Sequence, residues 1–118
     1  MGPVLKRLPI VVDDCGDIDV FQTLEDAESY VEVVDIVNGT AVAFDSEGRL
    51  LKGHEERNGL ISRGLKLELA EAEPLHAADL RGRLIRCLGT LGEPVVSLEA
   101  DSLEGLIGRA LRIMGPRK

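Results

Sequence analysis

The chain has 118 residues, 44% of them apolar, with no tryptophan, one tyrosine and two phenylalanines. That length fits a single domain over residues 1–118, which buries about two-thirds of the surface its unfolded chain exposes. A formal net charge of −7 and so few stacking rings argue against nucleic acid as a partner, because neither counterion release nor base stacking would drive binding.

Ile10, Val11 and Val12 form a β-branched run, Asp14-Cys15-Gly16 supplies turn chemistry, and Ile18 and Val20 alternate with Asp17, Asp19 and Phe21. The pattern predicts a β-hairpin with strands near 8–13 and 17–22. Thr23-Leu24-Glu25-Asp26 resembles a capping box with Asp in place of Glu, opening a helix with Leu24, Ala27 and Val31 on one side and Glu25, Glu28 and Glu32 on the other. A short connection through Asn38-Gly39 leads to a strand carrying Val42 and Phe44. Asp45-Ser46-Glu47-Gly48 suits a type I turn closed by a left-handed glycine, with Arg49–Lys52 as the returning strand.

Residues 53–61, with Gly53, Asn58, Gly59 and charges between them, read as a loop. From Arg63 the alternation of Leu65, Leu67 and Leu69 with Lys66, Glu68 and Ala70 predicts a half-buried strand. After Pro74 the period becomes helical: Ala77, Leu80, Leu84, Cys87, Leu88 and Leu91 share a face, with Arg81, Arg83 and Arg86 elsewhere on the surface. Gly92 and Pro94 end that helix, and Val95–Leu98 reads as a short strand or an extended linker. Asp101, with Glu104 three residues on, predicts the cap of a last helix whose apolar stripe is Leu103, Leu106, Ile107, Ala110, Leu111 and Met114, ended by Gly115-Pro116. The order ββαβββαα predicts an α+β domain, an antiparallel sheet of about five strands covered by helices. The last stripe is explained by packing on the sheet, with homo-oligomerisation left open.

Motifs that would carry chemistry are absent. Pro9–Asp14 resembles the first strand of a phosphoacceptor receiver, but a second strand follows where a receiver needs a helix. The acids of residues 13–19 lack the spacing of a calcium loop. His54 beside Glu55 and Glu56, and His76 three residues before Asp79, lie in separate segments without a third ligand, so no metal site and no cofactor are expected. There is no nucleophile elbow and no phosphate loop. Cys15 and Cys87 stand 72 positions apart outside any paired motif and read as free thiols, the first in a turn and the second on an apolar helix face. No catalytic residue is nominated, and the chain is expected not to be an enzyme. Lys6 and Arg7 precede too short an apolar run for a signal peptide, and no segment approaches the ~20 apolar residues of a membrane span, so no membrane association and a cytoplasmic location are expected.

The charge is concentrated: the first 48 positions carry eleven acids and two bases, the remaining 70 carry ten acids and twelve bases. Such asymmetry predicts a face with a strong negative field and a basic protein partner. The segment Ile18–Leu51, with its strand, short acidic helix and the hairpin Val42-Ala43-Phe44-Asp45-Ser46-Glu47-Gly48-Arg49-Leu50-Leu51, resembles small bacterial immunity proteins encoded beside polymorphic toxins. The resemblance covers about a third of the chain and brings no fixed residue motif. It implies a cytoplasmic, non-enzymatic binding protein that blocks a toxin's catalytic domain, here by docking Asp13, Asp14, Asp17, Asp19, Glu25, Glu28 and Glu32 on a basic effector surface. The other function class compatible with the residues is a small regulatory or ligand-binding domain.

Overall fold

A computed structural model describes residues 6–117. The elements are β1 (Ile10–Asp14), β2 (Asp17–Phe21), α1 (Leu24–Tyr30), α2 (Val33–Val37), β3 (Ala41–Phe44), β4 (Leu50–Asn58), β5 (Ile61–Leu69), α3 (Ala77–Thr90), α4 (Val95–Glu99) and α5 (Leu103–Met114). The strands form one antiparallel sheet in the order β2-β1-β3-β4-β5, and the fold is α+β as the sequence predicts.

Helices cover both faces. Val11, Ile18, Val20 and Phe44 pack against Leu80, Leu84, Leu88, Leu98, Leu106, Ile107 and Ala110 of α3, α4 and α5. Ile10, Val12, Phe21, Ala41, Ala43, Leu51, Leu65 and Leu67 pack with Ala27 on the opposite face, beneath α1 and α2. A strand buried on both faces needs apolar residues at every position, which is why β1 opens with three in a row. β5 buries one face against α1, so its leucines alternate with Lys66 and Glu68.

Residues 53–61 are not a loop. β4 and β5 are nine-residue strands that form a long hairpin, closed through the Asn58↔Ile61 pair by Gly59 at φ 65° and Leu60. The register shifts between Glu55 and Arg57, opposite Gly64 at φ 91°, the signature of a bulge. Gly53 is no breaker: a Cβ there would lie 2.5 Å from Ile36 Cγ2 of α2, so glycine lets that helix approach the strand. The charges between Gly53 and Gly59 are tolerated because the arm projects into solvent, where Leu60 is 96% exposed.

Two short helices lie where the sequence shows none. α2 and α4 are five residues each and carry β-branched Val33, Val34, Val37, Val95 and Val96, so neither length nor propensity reveals a 3.6-residue period. Tertiary packing decides them. Ile36 sits against the sheet at Gly53, and Leu98 is fully buried beneath α3 and α5, so Val95–Leu98 is helical rather than a strand or linker. The cap of α5 is Ser102, whose Oγ accepts from the Gly105 N–H at 3.0 Å. Asp101 is freed from capping and pairs with Arg109 at 2.8 Å. At α1 the predicted cap holds: Thr23 Oγ1 accepts from the Asp26 N–H at 3.1 Å.

The β3–β4 turn is built around a carboxylate. Asp45 is fully buried; its Oδ1 accepts from the N–H groups of Glu47 (3.1 Å) and Arg49 (2.9 Å), and its Oδ2 accepts from the N–H of Arg7 (3.2 Å). Arg49 Nη1 stands 3.4 Å from Oδ2. Gly48 closes the turn at φ 89°, and its missing Cβ admits Ala77 Cα, which would lie 2.3 Å from such an atom. The turn therefore docks the start of α3.

Candidate functional site

β1 and β2 meet through Asp14↔Asp17 and the turn Cys15-Gly16, whose φ angles of 53° and 99° are those of a type I′ turn. Side chains alternate across the sheet, and this separates the acids of the hairpin. Asp13 points with Val11 toward α3. It is 6% exposed, accepts from the Gly16 N–H at 2.7 Å and pairs with Arg83 Nη1 at 2.8 Å. Arg83 also reaches Asp79 at 3.0 Å and lies over the Phe44 ring at 5.5 Å. Asp13 is thus a buried turn brace and Arg83 its partner, in place of the solvated acid and surface base that the sequence suggests.

Asp14, Asp17 and Asp19 share the other face, on the side of α1 and α2. Asp14 and Asp19 line a groove of about 190 Å³ with Val12, Tyr30, Val31, Glu32, Asp35 and Ala41. Tyr30, Val31, Glu32 and Asp35 enter it because α1 stops at Tyr30 and α2 starts at Val33, leaving Val31 and Glu32 extended between them. Burial pushes the Asp19 carboxyl above its ordinary range, and the charges of Asp17 and Asp14 add to that rise against the lowering by Arg117. Arg117 Nε stands 3.2 Å from Asp19 Oδ1, and its guanidinium lies 4.8 Å from the centre of the Tyr30 ring.

The α1 acids divide. Glu25 and Glu32 are exposed and border a larger groove of about 710 Å³ between the α1–α2 layer and β5. Glu28 is drawn inward: its Oε2 accepts from the Leu67 N–H of edge strand β5 at 2.7 Å, and Oε1 lies 4.0 Å from Lys66 Nζ. Of the seven acids named from sequence, Asp14, Asp19 and Glu32 come together in the small groove. Asp17 stands exposed beside them, Glu25 faces the larger groove, and Asp13 and Glu28 serve the fold. Asp35 and Tyr30 belong to the small groove although sequence reasoning did not nominate them; their placement depends on α2, which leaves no periodic signal.

No family model, curated protein or solved structure matches this chain.

Among the described residues no three His, Cys, Asp or Glu side chains converge as a metal site. His76 Nδ1 lies 2.8 Å from Glu71 Oε1, and His54 is on β4 opposite Lys66. Desolvation pushes the Glu71 carboxyl up, but the N–H of Leu50 and the His76 ring outweigh it, so its pKa lies below the ordinary value. Among the described residues no helix is long and apolar enough to cross a membrane.

The thiols differ as expected. Cys15 is exposed at the turn, whereas Cys87 is half-buried against the α3–α5 core, and burial pushes its pKa up. Alkylation under native conditions is therefore expected to label Cys15 and spare Cys87, read by mass mapping of the two peptides. Preferential labelling of Cys87 would mean that α3 does not pack as described.

Proposed function

We propose that this chain is a non-enzymatic binding protein that neutralises a cognate bacterial toxin by docking its acidic face on a basic effector domain. The observation that carries the reading is how the two halves use their charges. The best-held bases of the C-terminal half are committed internally, Arg83 to Asp13 and Asp79 and Arg109 to Asp101 and Glu93, while the exposed Arg86 and Arg112 lie outside the groove. Among the described residues no ion pair involves Asp14, Asp17, Glu25, Glu32 or Asp35. The charge asymmetry of the sequence therefore leaves surplus negative charge around the small groove. Acids of this kind raise association rates with a cationic surface and fix its orientation.

The test measures association with the catalytic domain of a toxin encoded beside this chain, at several ionic strengths. Glu32→Lys with Asp35→Lys is expected to slow association about tenfold at low salt and to flatten its salt dependence, with the melting temperature near the parent's. Arg86→Glu with Arg112→Glu, exposed bases outside the groove, is expected to have little effect. Equal effects from the two variants, or no effect from the first, would make the asymmetry a solubility feature. The second reading, a small ligand-binding domain, would then lead; the 710 Å³ groove beside β5 is the observation in its favour.

A further inference from the structure

We propose that the small groove is an arginine subsite for an extended segment of the cationic partner, and that residues 115–117 of this chain hold it until that segment displaces them. The inference rests on the binding reading above and specifies the chemistry of its contact.

A guanidinium already sits at the rim of the groove, against two of its lining residues, Asp19 and Tyr30. Gly115, at φ 74°, turns the chain out of α5, and Arg117 comes to lie along the outer edge of β2, where its N–H donates to the Val20 carbonyl at 2.8 Å. From that anchor the side chain pairs with Asp19 at 3.2 Å and stacks over Tyr30 at 4.8 Å. A planar guanidinium can pair edge-on with a carboxylate while its face lies on a ring; a lysine ammonium supplies only the point charge. A backbone carbonyl acceptor, a carboxylate and a ring thus recognise arginine in an extended chain.

The fit in cis is incomplete in two respects. Among the described residues Arg117 pairs with Asp19 alone, while Asp14, Glu32 and Asp35 line the same groove without an ion pair. A partner carrying several bases satisfies charges that one guanidinium leaves over. Pro116 precedes Arg117 and has no N–H, so the segment can give the edge few ladder bonds. The alternation that turns the Val20 carbonyl outward also turns its N–H and the Ile18 carbonyl to that edge, where a partner strand without proline would meet them. The occupant is also weakly held, because the Arg117 side chain is 51% exposed and its ion pair is screened by solvent.

Tyr30 is the single tyrosine and the chain has no tryptophan; it borders both grooves, so its emission reports a ligand in either and the β2 amide shifts assign the response to the small one. The experiment titrates the full chain with acetyl-Val-Arg-Val-amide and, separately, acetyl-Val-Lys-Val-amide, following Tyr30 emission and amide chemical shifts of β2. Arg117→Ala is expected to melt near the parent and to bind the arginine peptide about tenfold more tightly, because the competing segment no longer occupies the site. The lysine peptide is expected to bind more weakly to the same variant. Adding Asp19→Asn to Arg117→Ala is expected to remove the response, and Arg117→Lys to lie between the parent and Arg117→Ala. Equal affinity in the parent and Arg117→Ala, equal binding of the two peptides, or shifts away from β2 would each overturn the proposal. Failure of the peptide with toxin steering intact would sink the subsite alone; peptide binding without toxin association would sink the function reading alone.

Discussion

Leu106→Asp is expected to abolish cooperative thermal unfolding. Leu106 is fully buried in the middle of α5, in the cluster that joins Val11, Val20 and Phe44 of the sheet to Leu80, Leu84 and Leu88 of α3. Truncating a buried leucine costs about 2–5 kcal/mol through lost transfer energy and the cavity left behind. A carboxylate in the same place adds the desolvation of a charge for which the cluster provides no base. Domains of this size are stable by only about 5–15 kcal/mol, so the combined cost reaches the total. Ile113→Asp is the matched control: this residue of the same helix is 45% exposed, and the change is expected to cost about 0.5 kcal/mol or less. Calorimetry and circular dichroism on both variants check the pair. Similar melting of the two would mean that α5 does not bury the stripe as described.

Asp45→Ala is expected to be the most costly single change at a polar position, about 3–5 kcal/mol, because it removes one partner of a buried ion pair and leaves the other in place. The side chain of Arg49 is 9% exposed and would lose this carboxylate, although Glu47 still reaches it. The N–H groups of Arg7, Glu47 and Arg49 would lose their acceptor at the same time. Asp45→Asn keeps one oxygen to accept from Glu47 and Arg49, so its expected cost is smaller, and the gap between the two variants measures how much of the effect is charge. Denaturant melts give both numbers. An unchanged midpoint for Asp45→Ala would show that the turn is held by its backbone alone.

Asp45 also illustrates how legibility varies within one motif. Its role as first residue of a type I turn ending in Gly48 follows from local chemistry, since aspartate accepts from nearby N–H groups and glycine tolerates positive φ. Its burial does not. It is enclosed because α3 comes down on Gly48, a contact 29 residues away along the chain. Asp13 behaves alike: period-2 alternation separates it from Asp14, but only the position of Arg83, 70 residues on, makes that face an interior one.

The candidate site was legible as a sign of charge rather than as a place. Composition puts an excess of acids in the first half, and several of them have no ion-pair partner among the described residues, but which of them converge depends on elements that local signals do not reveal. α2 is too short for helical periodicity and is built of residues that favour strands, so Asp35 and Tyr30 could not be joined to Asp14 and Asp19 beforehand. Sequence by itself determined the first hairpin, α1 with its Thr23 cap, the β3–β4 turn, α3, α5 and the antiparallel α+β class, because each rests on a period or a turn chemistry contained within a few residues. Tertiary structure alone decided that residues 53–61 extend a hairpin, that Val33–Val37 and Val95–Glu99 are helical, and that Asp13 and Glu28 turn inward while Arg117 returns to β2. Those outcomes depend on which surfaces meet across long sequence separations, and burial against a distant partner outweighs the weak local preferences that a short segment carries.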